Sequence, residues 1–284
     1  MISRRLVALA APALLLAAAI PAWGVGVEPQ LLLRTAEHRI PWAGPRLRVA
    51  LLADFHAGPP TFTIERVRGV VEAANALRPD LVLLLGDYGS TARRVTWKPY
   101  APAEVAPALA ALRAPLGVHA IAGNHDWWDD AAAMRRQGGM PEWLRALAAE
   151  GVRTYQNAAA PLPGFWLAGL DSQWAFRRAG GADDLRRTLG AVPLGAPLIL
   201  MAHEPDVFAG GSPRVSLQVS GHTHGGQVRI AGWSPWIPSR YGDRYVRGHV
   251  EEEGRHLVVS SGLGMSGWPV RLGVPPEIVL VTLG

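Results

Sequence analysis

Nine histidines are spread over the 284-residue chain, and five of them stand in short polar clusters. The clusters are Asp54-Phe55-His56, Gly86-Asp87, Gly123-Asn124-His125-Asp126, His203, and Gly221-His222-Thr223-His224-Gly225-Gly226. Carboxylate, imidazole and amide oxygen together suit divalent transition metals: Mn, Fe, Zn, Co or Ni. The set is too rich in nitrogen for calcium or magnesium alone. The chain has no cysteine, which excludes disulfides, zinc fingers, iron–sulfur clusters and thiol catalysis. A metal must therefore sit on His, Asp, Glu, Asn or backbone oxygen. His38, His119, His249 and His256 lie outside the clusters and are expected to be ordinary surface or strand histidines.

The clusters must be positioned by the elements that precede them. Arg46–Asp54, Asp80–Leu85, Gly117–Ala122, Pro197–Ala202 and Val215–Ser220 read as strands, and each runs into one cluster. Thr63–Arg78 has helical spacing, with Ile64, Val67, Val70, Val71, Ala74 and Leu77 on one side. Pro102–Arg113 and Pro141–Glu150 are further predicted helices, the former with Pro in its first turn. Val152–Tyr155 and Phe165–Leu170 read as strands and Leu185–Leu189 as a short helix. Three more strands are expected between Arg244 and Leu283. Alternating strands and helices in the first half predict an α/β sheet protein. Ligand sites of open α/β sheets form beyond the carboxyl ends of strands, so sequence-distant clusters would meet at one edge. Asp54 and His56 are two apart, as are His222 and His224; on an extended strand each pair points one way.

Composition sets the setting. Hydrophobic residues make up 49% of the chain, enough for a large core. The net charge of +5 rests on Arg rather than Lys, in scattered pairs rather than one basic run. A solvated surface is expected, not a nucleic-acid footprint. Residues 6–27 carry no charge and follow Arg4 and Arg5, the pattern of a signal peptide or N-terminal membrane anchor. The positive-inside rule puts the remainder outside the cytoplasm, in the periplasm or cell envelope. Ser3-Arg4-Arg5-Leu6-Val7 also resembles a twin-arginine export motif. The predicted organisation is a leader over 1–27, a linker or first strand over 28–45, and a catalytic domain over 46–284. Nothing in the sequence calls for an obligate protein partner.

The series DFH…GD…GNHD…H…GHTH resembles the calcineurin-like metallophosphoesterases, from about Arg46 to the C-terminus. GHTHGGQVRI, PSRYGDRYVRG and SSGLGMSGWPVRLGVPPEI resemble the bacterial exported or membrane-associated phosphodiesterase branch. The resemblance implies a four-layer αββα sandwich of two mixed sheets flanked by helices. It implies two divalent ions, one on Asp54, His56, Asp87 and His224, the other on Asp87, Asn124, His203 and His222, with Asp87 bridging. Two such ions acidify a shared water, and the resulting hydroxide attacks phosphorus in line. His125 is expected to protonate the leaving oxygen or stabilise the phosphoryl charge. Asp126 either orients that imidazole or caps the following turn. The chain starts with DxH and lacks HxHxDH, so amidohydrolases and metallo-β-lactamases do not fit.

The expected substrate is a phosphodiester or pyrophosphate with a lipid or cell-envelope component. A phosphomonoesterase of the same fold is the alternative, and a non-catalytic metal-binding scaffold a weaker one. Loops after the clusters offer Arg93, Arg94, Trp127 and Arg240 as substrate residues. The stretch Trp233-Ser234-Pro235-Trp236-Ile237-Pro238, like the leader, suits a membrane surface.

Overall fold

The apolar runs that end in polar clusters are strands buried on both faces, which is why they show no polar alternation. In the computed structural model, which describes residues 19–89, 96 and 98–284, they build two mixed sheets. The first contains β1 (Arg34–Ile40), β2 (Leu47–Leu52), β3 (Leu81–Leu84), β4 (Val118–Ala120), β5 (Arg153–Thr154) and the last strand, β12 (Glu277–Leu283). Its order is β1-β12-β2-β3-β4-β5. The second contains β6 (Ala158–Leu162), β7 (Phe165–Gly169), β8 (Leu198–Met201), β9 (Leu217–Ser220), β10 (Gly248–Glu252) and β11 (Arg255–Val259). Its order is β10-β11-β9-β8-β7-β6. Strands β2 to β5 are mutually parallel, as are β7, β8, β9 and β11.

Alternate residues of each strand enter different cores. Val49, Leu51, Leu81 and Leu83 face the second sheet and meet Leu167, Ile199, Met201, Leu217, Val219 and Val258. Ala50, Leu52, Val82 and Leu84 face outward beneath helices. Those helices include α2 (Ile64–Ala76), α3 (Pro102–Leu109) and α6 (Glu142–Ala149). Helix α2 starts where Thr63 Oγ1 accepts from the Arg66 N–H, and it buries Val67, Val70, Val71 and Ala74. The outer face of the second sheet is covered by α7 (Leu185–Leu189) and a 3-10 segment, Pro205–Gly210. The result is the αββα sandwich. Short helices α1 (Glu28–Leu31), α4 (Asn124–Trp128) and α5 (Ala131–Arg136) complete the set among the described residues.

The predicted strands and helices recur with ends trimmed by a few residues. Two strands carry weak signals. β1 is mostly polar because it is an edge, paired along its length with β12. β6, Ala-rich, is the opposite edge of the second sheet. The segment before β1 is tied to the domain. Glu28 accepts from the N–H groups of Gly273 and Val274 at 3.0 and 2.6 Å. The Gly24 carbonyl accepts from Arg271 N at 2.8 Å. No helix among the described residues is long and apolar enough to cross a membrane. The charge-free run from residue 6 and the Arg4-Arg5 pair lie largely or wholly outside those residues.

Leu51 is fully buried in the layer between the sheets. Leu51→Ala is expected to cost about 2–5 kcal/mol. Urea unfolding should show a lower midpoint with an unchanged slope; an unchanged midpoint would contradict the two-sheet core.

Candidate metal centre

Five parallel strand ends deliver the polar clusters to one place. Asp54 and His56 follow β2, Asp87 follows β3, and Asn124 and His125 open α4 after β4. From the facing sheet, His203 follows β8, and His222 and His224 follow β9. The pairs Asp54/His56 and His222/His224 do not converge by strand alternation, as their spacing predicts. Each of these four residues has left-handed backbone, with φ of 54°, 43°, 70° and 52°; Asp87 joins them at 58°. Such backbone costs about 1–3 kcal/mol per non-glycine residue, least for Asp, Asn and His. It turns the chain sharply enough for neighbouring side chains to face one point.

Their donor atoms lie close together. His56 Nε2 is 3.1 Å from His224 Nε2, and His224 Nε2 is 3.5 Å from Asp54 Oδ1. Asp87 Oδ2 is 3.3 Å from His203 Nε2 and 3.6 Å from His56 Nε2. His203 and His222 rings meet at 5.1 Å. Asn124 Oδ1, His203 Nε2 and His222 Nε2 are buried without a hydrogen-bond partner. Each such orphan costs about 1–3 kcal/mol unless something coordinates it. The far nitrogens of two rings are engaged: His56 Nδ1 with Gly89 O at 3.1 Å and His203 Nδ1 with Leu85 O at 2.7 Å. That fixes the tautomer that aims Nε2 inward, as in metal-binding imidazoles. Orphaned donors of this chemistry fit a divalent-metal centre.

The electrostatics agree. Burial raises Asp54 to about 7, against the pull of His203. Burial also opposes ionisation of Asp87, yet His203, His125 and His56 hold it well below the usual carboxylate range. His203 is disfavoured as a cation by burial but held well above its usual value by Asp87 and Asp54. Burial pushes His56, His222 and His224 down, leaving neutral imidazoles. Arg271 stands behind the centre, fully buried, with Nη2 3.4 Å from His224 Nδ1. Its guanidinium donates to the carbonyls of Ser261, Gly264 and Val274. Burial lowers it to about 10, so it remains a cation facing Asp54.

Several expected roles change. Asp126 donates nothing and orients no imidazole: its oxygens accept from the N–H groups of Asp87, Tyr88 and Gly123 at 2.8, 3.0 and 2.7 Å. It caps α4 and holds the backbone of Asp87. Trp127 is buried, donates to Asp171 Oδ1 at 2.7 Å and packs on Phe176, so it is core, not a substrate contact. Arg93 and Arg94 lie outside the described residues. Arg240 lines a cavity of about 480 Å3 with Gln173, Trp174 and Tyr241. Trp174 links that cavity to the centre, its ring 4.7 Å from His222. Trp128, beside Trp127, packs on His125 at 4.6 Å, and the Arg177 guanidinium lies 4.2 Å over its ring. Trp174 and Arg177 follow β7, so the strand-end rule applied to β7 reaches them. Glu204 is buried, accepts from Ser172 Oγ and Gln173 N, and anchors the Trp174 segment. Arg271 lies in the SSGLGMSGWPVRLGVPPEI segment and takes its carbonyl partners from it, but its approach to His224 comes from the fold.

A Cβ on Gly123 would lie 2.2 Å from Asp87 Oδ1 and 2.7 Å from His203 Cε1. Gly123→Ala should therefore lose bound metal while far-ultraviolet circular dichroism stays native; full metal content would refute the crowding. Protons on Asp54 and His203 compete with a cation for the same atoms. Metal binding should release protons, seen calorimetrically in buffers of different ionisation enthalpy, and should weaken as pH falls through neutrality. A pH-independent affinity would contradict this.

A family model described as calcineurin-like phosphoesterase matches residues 47–226. YkuE of Bacillus subtilis (strain 168), described as an uncharacterized metallophosphoesterase, is 30% identical over 268 residues, covering 90% of this chain and 87% of that protein. An uncharacterized metallophosphoesterase of Aquifex aeolicus is 28% identical over 245 residues, covering 84% and 86%. A transmembrane protein with metallophosphoesterase domain from Bos taurus is 28% identical over 253 residues, covering 87% of this chain and 55% of that protein. With clustered Asp and His side chains at the ends of its strands, the chain belongs to the calcineurin-like phosphoesterase family and is a metal-dependent phosphoric ester hydrolase.

Proposed function

We propose that the enzyme hydrolyses a phosphodiester or pyrophosphate bond in a substrate with a lipid or cell-envelope component, outside the cytoplasm. In this reading Asp54, His56, Asp87 and His224 hold one divalent ion, and Asp87, Asn124, His203 and His222 a second. When bound, the ions supply Lewis-acid charge for the phosphoryl oxygens and make water acidic enough to attack. The chain's own residues do the rest. His125 donates its Asp87-facing backbone N–H at 2.9 Å, which fixes the residue, while its ring lies between His56 and Trp128. Burial lowers that imidazole to about 3, so it meets substrate as a neutral N–H donor to the phosphoryl or leaving oxygen. Asp126 acts through Asp87 as a positioning residue. Trp128 and Trp174 flank the centre as indole walls, and Arg177 and Arg240 offer cations beyond them for a second acidic group.

The observation that carries the lipid reading is an exposed indole layer continuous with the centre's back wall. Trp233, Trp236 and Trp268 are 65%, 66% and 67% exposed, and Ile20, Trp23 and Ile230 are exposed with them. The segments bearing them are hydrogen-bonded together: Gln227 Nε2 to the carbonyls of Ser266 and Trp268, Arg229 N to Leu272 O, and Arg271 N to Gly24 O. Arg271 in turn touches His224. Indoles suit a membrane–water interface, and the exposed Ile20 and Trp23 belong to the C-terminal part of the charge-free stretch.

Turnover by the full chain loaded with Mn, Zn, Fe, Co or Ni distinguishes the readings. An aryl phosphodiester, a nucleotide-sugar pyrophosphate and phospholipids should exceed an aryl phosphomonoester. Preference for small soluble monoesters over every diester would overturn the proposal. His125→Ala should keep its metals and lose about 10²–10⁴-fold in rate, most for poor leaving groups. Equal loss for activated aryl esters would argue against a donor to the leaving oxygen. Trp233→Ser with Trp268→Ser should reduce sedimentation with anionic vesicles while leaving turnover of the soluble aryl diester intact.

A further inference from the structure

Three of the four histidines outside the catalytic centre converge at the edge strands of the sandwich, two from one hairpin and His38 from far earlier in the chain. His38 lies on β1, the edge of the first sheet; His249 lies on β10, the edge of the second, and His256 on its partner β11. Their faces follow from strand alternation. Ala36, His38 and Ile40 share a face, and Ala36 and Ile40 pack between the sheets. Val258 packs there too, so His256, two residues away, points the same way. Register places His249 opposite Val258 and Glu251 opposite His256. His249, Glu251 and His256 therefore stand on one face, directed at the seam where His38 arrives from the other sheet.

The distances suit ligation. His249 Nε2 is 3.0 Å from His256 Nδ1. Two nitrogens on a tetrahedral zinc ion lie about 3.3 Å apart. Glu251 Oε2 is 4.0 Å from His256 Nδ1, and one donor atom from each of His249, Glu251 and His256 falls within 4.8 Å of the others. The His38 ring is 6.4 Å from that of His249. Burial pushes both His38 and His249 below the ordinary imidazole range, with His256 and His38 adding to the effect at His249. That leaves them free of competing protons at neutral pH.

We propose that His249, Glu251 and His256, joined by His38, form a second and separate site for a divalent transition-metal ion of the zinc type. Two to three imidazoles and a carboxylate are a zinc, nickel or copper donor set. Held by both β1 and β10, the ion clips the open edges of the two sheets together. It stabilises the fold and plays no part in phosphoester hydrolysis. The site stands independently of the substrate reading above.

Zinc content tests this directly. The full chain, equilibrated with Zn2+ and gel-filtered, should carry one more zinc ion than the His249→Gln/His256→Gln double variant. The variant should retain turnover of an aryl phosphodiester within about twofold, and added zinc should raise Tm more for the natural chain than for the variant. Equal zinc content in two folded proteins would overturn the proposal and leave a plain histidine–histidine hydrogen bond. If the variant fails to fold, anomalous diffraction at the zinc edge from crystals of the natural chain decides. A peak beside His249 and His256 supports the site, and its absence refutes it.

Discussion

Two carboxylates, Asp54 and Asp87, are drawn out of water into one buried point, and the rest of the molecule answers that charge. Isolated buried anions are strongly disfavoured, so each needs compensation close by. Some of it is fixed in the fold. The His222 N–H donates to Asp54 at 3.0 and 3.1 Å, the His125 N–H to Asp87, and the Arg271 cation faces Asp54 without touching it. His203, despite burial held well above its usual value by both carboxylates, adds to it, and the inward-facing orphan atoms suit a divalent metal centre there.

The same demand explains why the sheets are arranged as they are. Parallel strands from two sheets end at one edge, so five loops reach the anions without long detours. Three of those loops, after β2, β3 and β9, turn through left-handed backbone at residues that face inward. Rigid, doubly buried strands over-determine those loops, which is what allows strained backbone to persist. Phosphoester chemistry therefore rests on a frame whose stability is set by the apolar layer between the sheets, not by the polar residues themselves.

Much of this is legible in the sequence because strand-end position and residue type coincide there. The αββα architecture, the metal-dependent hydrolase and the clustering of Asp and His side chains beyond the strand ends follow from the clusters and the family resemblance. What the sequence obscures is direction. Trp127 and Trp128 are adjacent, yet one faces the core and the other His125, because a short helix turns them apart. Asp126 sits beside His125, yet both its oxygens turn back to backbone. Arg271 and the His38–His249–His256 group are invisible for another reason. Arg271 reaches His224, and His38 reaches His249, only across segments tens to hundreds of residues apart. Edge strands β1 and β6 are faint because an edge needs no continuous apolar pattern.

The place of β12 has a consequence for biosynthesis. It lies between β1 and β2, parallel to one and antiparallel to the other, and it follows every other described strand in the chain. Chains emerge from the ribosome N-terminus first, so the strands on both sides of that gap are made long before the strand that fills it. Until β12 is made, the edge of β2 beside that gap is open and apolar, and β1 has no partner. Unpaired edges of this kind invite pairing with other chains. The nascent first sheet thus stays one strand short until β12, made after every other described strand of both sheets, seals it.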